Sequence, residues 1–159
     1  MNAINQKHIE NLEQTQQFAT QLANGLRPGE GVLLFGDVGA GKTTFAQALI
    51  RAWLGSDILV NSPTFTLMQP YTREYMGEVQ TLWHLDLYRV ESERELAELG
   101  LEELLERENL VIEWAEKCPP RWWPASRLML KISPQENGSR LFTWQAFGAF
   151  AERAFHVAS

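Results

Sequence analysis

Cysteine is all but missing from this sequence: Cys118 stands alone, so no internal disulfide forms and the chain suits a reducing compartment. Nowhere does an apolar run approach the roughly 18 residues that span a bilayer, and no signal-like stretch follows Met1. A cytoplasmic protein with no membrane contact is the expectation. Lysine is scarce too, four against ten arginines, and 20 acids face 14 bases for a formal net charge of −6. A nucleic-acid backbone is gripped by clustered Lys and Arg that displace counterions. This charge balance therefore leaves any nucleic acid to be held by a partner. Internal repeats, low-complexity tracts and linkers are also missing, and 159 residues suit one domain, 1–159. What the chain does have is apolar bulk. Six Trp and eight Phe supply a core that needs no metal or disulfide to hold it.

The apolar residues Phe18, Ala19, Leu22, Ala23 and Leu26 recur at spacings of three and four across residues 12–26. That spacing predicts an amphipathic helix, ended by Arg27-Pro28-Gly29. Val32-Leu33-Leu34-Phe35 lies between glycines as a buried strand does, and residues 44–54 read as helix. Residues 55–81 mix Ser62-Pro63, Gln69-Pro70 and Gly77 with Thr and Tyr, predicting an irregular segment with a short hairpin. The runs 82–86 and 110–113 read as further buried strands, each ending in a carboxylate. Between them Ser92 and Glu95 match a capping box, and Gly100 separates two helical pieces. The acidic run 91–108 reads as a solvated helix face. Segments 127–132 and 140–144 around Asn137-Gly138 predict an antiparallel hairpin, followed by a helix around 147–155.

Between the first buried strand and its helix lies Gly36-Asp37-Val38-Gly39-Ala40-Gly41-Lys42-Thr43, which fits G-x-x-x-x-G-K-[ST] throughout. The chemistry needs these residue types there. Glycines let the backbone wrap a phosphate with its N–H groups, the helix N-terminus adds a positive dipole end, and Lys42 reaches the β- and γ-phosphates. The Thr43 hydroxyl suits Mg²⁺. Such a site also needs a carboxylate at the end of a neighbouring strand, and Asp86 and Glu113 both qualify; spacing does not divide their roles. His84 shares a strand face with Asp86 and reads first as a hydrogen-bonded core residue. Trp114 reads equally as packing or as a wall of the site, Arg89 has no assigned partner, and Trp122-Trp123 reads as a loop packed on the body. The fold expected is α/β: a three-layer P-loop NTPase-like fold with a mostly parallel central sheet and an antiparallel C-terminal hairpin.

Taken in order, Gly36 to Phe45, then Ser62-Pro63-Thr64-Phe65-Thr66-Leu67, His84-Leu85-Asp86-Leu87-Tyr88-Arg89, Glu98-Leu99-Gly100-Leu101 and Ile112-Glu113-Trp114, the chain resembles the TsaE (YjeE) family. The P-loop is common to many families; the second and third segments are far more specific. The resemblance implies an ATPase serving the enzymes that make N6-threonylcarbamoyladenosine in tRNAs reading codons that begin with A. TsaD and TsaB would perform the threonylcarbamoyl chemistry, and this chain's ATP hydrolysis would reset them, with tRNA met only through those partners. It further implies that Asp37, Val38, Gly39, Ala40, Gly41, Lys42, Thr43 and Thr44 bind the phosphates of ATP. Thr43 and Glu113 would hold Mg²⁺, and Lys42, Asp86 and Glu113 would carry the catalysis. Segment 62–66 would act as a switch, Trp114 would border the site, Arg140 would touch nucleotide, and Leu12 would flank the adenine.

Slow hydrolysis by the chain alone, raised when a partner orders the site, is the mechanistic expectation. Two other readings share the phosphate cradle. A small-molecule kinase usually carries an Arg-rich lid, and this sequence has no such insert. A nucleotide-dependent interaction module would need binding but not hydrolysis. Guanine specificity is disfavoured because no N-K-x-D segment follows the loop.

Overall fold

The computed structural model describes residues 3–61 and 67–153. Strand β2 (Gly31–Phe35) explains why its sequence is apolar at consecutive positions rather than alternate ones. Val32 and Leu34 enter one core and Leu33 the other, all at 0% exposure. A strand covered on both faces has no solvent side on which to place polar residues. β5 (Asn109–Glu113) is buried along its whole length for the same reason.

β2 lies in a seven-stranded sheet with β1 (Asn5–Ile9), β3 (Met68–Tyr75), β4 (Glu78–Asp86), β5, β6 (Arg127–Pro134) and β7 (Arg140–Phe147), in the order β1-β7-β6-β2-β5-β4-β3. The parallel part is its centre, where β6 pairs with β2, β2 with β5 and β5 with β4. The flanks are antiparallel: β3 on β4, β7 on β6 and β1 on β7. The parallel centre brings the carboxyl ends of β2, β5 and β4 to one edge, where α/β sheets hold their ligands. Because β7 runs the other way, its first residue, Arg140, arrives at that same edge.

Helices α1 (Leu12–Gly25) and α2 (Lys42–Leu54) cover one face of the sheet. Their packing centres on Phe18, which meets Phe45, Phe142 and Trp144 edge-on with ring centroids 5.9, 5.2 and 5.0 Å away. The other face is covered by α3 (Glu93–Glu98), α4 (Leu101–Leu104) and the turn Pro120–Trp122, through Leu96, Leu101 and Trp122. Three layers result, as the alternation of strand and helix predicts.

Details differ from the sequence expectations. β1 has no apolar alternation, only Ile9 of its five residues being buried, and it exists as an edge strand on β7. The short hairpin expected within 55–81 is the long β3–β4 ladder turning at Met76-Gly77, with β4 running on to Asp86. Ser92 stands at the N-cap of α3 but its side chain makes no capping bond. A capping arrangement forms instead at α1, where Asn11 Oδ1 accepts from the Gln14 N–H and Gln14 Oε1 accepts from the Glu10 N–H. The last helix, α5, spans Ala149–Glu152; positions 154–155 of the expected helix lie outside the described residues. The acidic run is largely solvated, yet Glu102 and Glu108 accept from the indole N–H groups of Trp122 and Trp83.

Candidate functional site

The glycine loop leaves β2 at Gly36 and enters α2 at Lys42. Gly36 has φ +144°, and a Cβ there would lie 2.7 Å from the Ile132 carbonyl oxygen, so only glycine fits between the loop and β6. Gly41 caps α2 with φ +110°, and a Cβ there would meet the Arg140 guanidinium at 3.1 Å. The first full helical bond of α2 runs from the Phe45 N–H to the Gly41 carbonyl at 2.9 Å. Amides of residues 42–44 therefore have no acceptor in their own helix and face outward at its positive end.

Lys42 is buried, and its Nζ donates to the carbonyls of Gly36 and Asp37, the latter at 2.8 Å. The same ammonium lies 4.0 Å from the centroid of the Trp114 ring. Burial pushes the Lys42 pKa down, against the pull of Glu113, Glu116, Asp86 and Asp37. Thr43 Oγ1 donates to Glu113 Oε1 at 2.6 Å, and Glu113 Oε2 is 2.6 Å from His84 Nε2. Asp86 closes β4 directly beside Glu113, in register across the parallel pair. Burial raises the Asp86 pKa and the neighbouring Glu113 charge adds to this, while the Tyr88 N–H donated at 3.0 Å and Lys42 oppose it. Trp114 has φ +58°, an uncommon conformation for a bulky residue, and it turns the indole over Lys42 and within 5.0 Å of the Tyr88 ring.

These groups line one cleft of about 350 Å³. It brings together Val38, Gly39, Gly41, Lys42, Thr43, Thr44, Asp86, Glu113, Trp114 and Arg140. Tyr88 also lines it, a residue that sequence reasoning did not single out although it stands two places beyond Asp86 in the same segment. Ala40 is buried beneath the loop. Asp37 opens instead on a larger hollow of about 800 Å³ over the outer face of β6 and β7, which shares Trp114 with the cleft. The smaller cleft holds the outward helix amides and the carboxylate pair, so chemistry rather than volume identifies it. Leu12 begins α1, 54% exposed, at the same edge of the sheet as the cleft but not in its lining. Segment 62–66 lies outside the described residues.

The donor set suits a hard cation bound together with phosphate: a hydroxyl and a carboxylate oxygen 2.6 Å apart at the mouth of an amide cradle. Among the described residues no group of three or more His, Cys, Asp or Glu could cage a metal unaided. Mg²⁺ characteristically takes one or two protein oxygens and completes its shell with water and phosphate.

The family model described as "Threonylcarbamoyl adenosine biosynthesis protein TsaE" matches residues 9–142. The tRNA threonylcarbamoyladenosine biosynthesis protein TsaE of Rickettsia felis is 43% identical over 68% of this chain and 61% of its own length. This chain thus covers less than two thirds of that relative. The Bacillus subtilis protein of the same name is 37% identical over 87% of this chain and 83% of its own length. The crystal structure of YdiB from Bacillus subtilis superposes with a TM-score of 0.75 at 29% identity, covering 96% of this chain and 91% of that one. Sequence and fold agree: the chain belongs to the TsaE family.

Proposed function

We propose that this chain is a single-domain cytoplasmic ATPase that binds ATP with Mg²⁺ and hydrolyses it in support of tRNA N6-threonylcarbamoyladenosine synthesis. Proteins of the TsaD and TsaB kinds perform the transfer and hold the tRNA. The observation that carries the reading is the Thr43–Glu113 pair, 2.6 Å apart beside the outward amides that open α2. Family membership supplies the process. No helix of the described residues is long and apolar enough to cross a membrane.

Phosphoryl transfer to water asks a protein chiefly for position and charge. The amides of residues 38–44 receive the phosphate tail, and Lys42 turns from the loop carbonyls toward the β- and γ-phosphates. Thr43 and Glu113 would hold Mg²⁺, which when bound would supply charge neutralisation to the phosphates. Asp86, at the end of β4 beside Glu113 and lining the cleft, orients the attacking water. Arg140, across Gly41, adds positive charge on the side opposite the carboxylates, and Trp114 and Tyr88 wall the cleft. Leu12, exposed at the start of α1, meets the nucleoside end, and segment 62–66 serves as the partner-sensitive switch.

The test is phosphate release with and without the TsaD and TsaB proteins. The unaltered chain should turn over slowly alone and faster with them, and Lys42→Ala should weaken ATP binding by at least about tenfold. Equal rates with and without partners, or full affinity in the alanine variant, would refute the proposal.

A further inference from the structure

His84 is one of the least exposed side chains in the protein, at 0%. It lies on β4 two residues before Asp86, on the same face of the strand. Its Nε2 is 2.6 Å from Glu113 Oε2, while its Nδ1 is buried with no hydrogen-bond partner among the described residues. A buried N–H without an acceptor is rarer and costlier than an acceptor without a donor, so the ring proton belongs on Nε2. His84 then donates to Glu113, and Thr43 donates to the other carboxylate oxygen at 2.6 Å. Both oxygens of Glu113 are thus held from different elements, Oε2 from β4 and Oε1 from the start of α2. The carboxylate cannot rotate without breaking a short bond at each end.

We infer that His84 is a positioning residue: it fixes Oε2 of Glu113 through Nε2–H and so keeps Oε1 beside the Thr43 hydroxyl, ready for the divalent cation. The inference rests on the Mg²⁺·ATP reading above. A core histidine serving packing alone would owe nothing to which of its nitrogens bears the proton. A positioning histidine depends on that nitrogen, because outer-shell partners that orient a ligand typically contribute 10- to 100-fold to metal affinity.

Glutamine and asparagine separate the two roles. The amide nitrogen of His84→Gln reaches the place of Nε2, whereas that of His84→Asn reaches only the place of Nδ1. ATP affinity is measured by calorimetry with Mg²⁺ and again in EDTA. For His84→Asn we expect unchanged affinity in EDTA and loss of about tenfold or more of the gain that Mg²⁺ confers; for His84→Gln, a gain within about threefold of the unaltered chain. Equal Mg²⁺ gains in the two variants would overturn the inference. Should either variant fail to fold, long-range ¹H–¹⁵N spectra of the unaltered chain decide: an Nε2–H tautomer supports the assignment and an Nδ1–H tautomer overturns it. If the unaltered chain itself gains nothing from Mg²⁺, the nucleotide reading falls and this role falls with it, a result distinct from a defect confined to His84→Asn.

Discussion

Asp86 and Glu113 sit side by side at the ends of neighbouring strands, yet their surroundings divide them. Glu113 is 1% exposed and engaged at both oxygens, by Thr43 and His84. Asp86 accepts one backbone N–H and turns toward the cleft, where burial raises its pKa. The first suits holding a cation and the second handling water. Asp86→Asn should therefore keep Mg²⁺·ATP affinity within about threefold while lowering turnover by roughly 10² to 10⁴; calorimetry and phosphate release on one preparation check both halves. An equal loss in binding and turnover would mean that Asp86 holds the metal instead. The sequence names Lys42, Thr43, Asp86 and Glu113 because a short motif and two strand ends place them. It does not give the His84–Glu113 bond, which depends on the register between β4 and β5, nor the turn of Trp114 over Lys42, which depends on a positive φ. Those are properties of paired strands and backbone conformation, and side-chain pattern along one strand is blind to them.

At the level of elements, helix starts show where pattern and geometry part. Ser92-x-x-Glu95 matches a capping box and makes no side-chain cap at Ser92, whereas Asn11 caps α1 at 3.0 Å with Gln14 reaching back to the Glu10 amide. α3 is six residues long and held by Leu96 in the core, so little of its stability comes from its cap. Asn11→Ala should cost about 1 kcal/mol by thermal or urea unfolding, and Ser92→Ala should stay within about 0.5 kcal/mol. The central strands were legible because burial on both faces writes an unbroken apolar run. β1 was not, because an edge strand whose only buried side chain is Ile9 has too little apolar surface to leave a period in the sequence.

Across the whole molecule, the alternation of strand and helix makes the layered fold legible, while strand order is hidden because it depends on which edge each crossover chooses. One buried cluster ties distant parts of the chain together. Glu30 accepts from the Arg27 amide before β2, from Ser126 before β6 and from Arg153 after α5. Burial alone would raise the Glu30 pKa, but the bonds from Arg153 and Ser126, then that of the Arg27 amide and the charge of Arg153, outweigh it and leave the carboxyl below its ordinary 4.5. A carboxylate depressed by folding binds fewer protons in the native state than in the unfolded one. Its contribution is therefore present above about pH 4.5 and lost as pH falls below that value. Urea unfolding at pH 7 and again below pH 4.5 should show Glu30→Gln costing stability at the higher pH and progressively less at the lower. A cost independent of pH would contradict this.

A triphosphate should seat on the amides opening α2, with its cation on Thr43 and Glu113. Crystallographic determination of the chain with Mg²⁺ and a non-hydrolysable ATP analogue tests it most directly. The phosphates are expected in the cleft of about 350 Å³, with Lys42 turned onto them and the metal on the Thr43 hydroxyl and Glu113 Oε1. A nucleotide lodged in the 800 Å³ hollow over β6 and β7, with Glu113 still closed on Thr43, would contradict it.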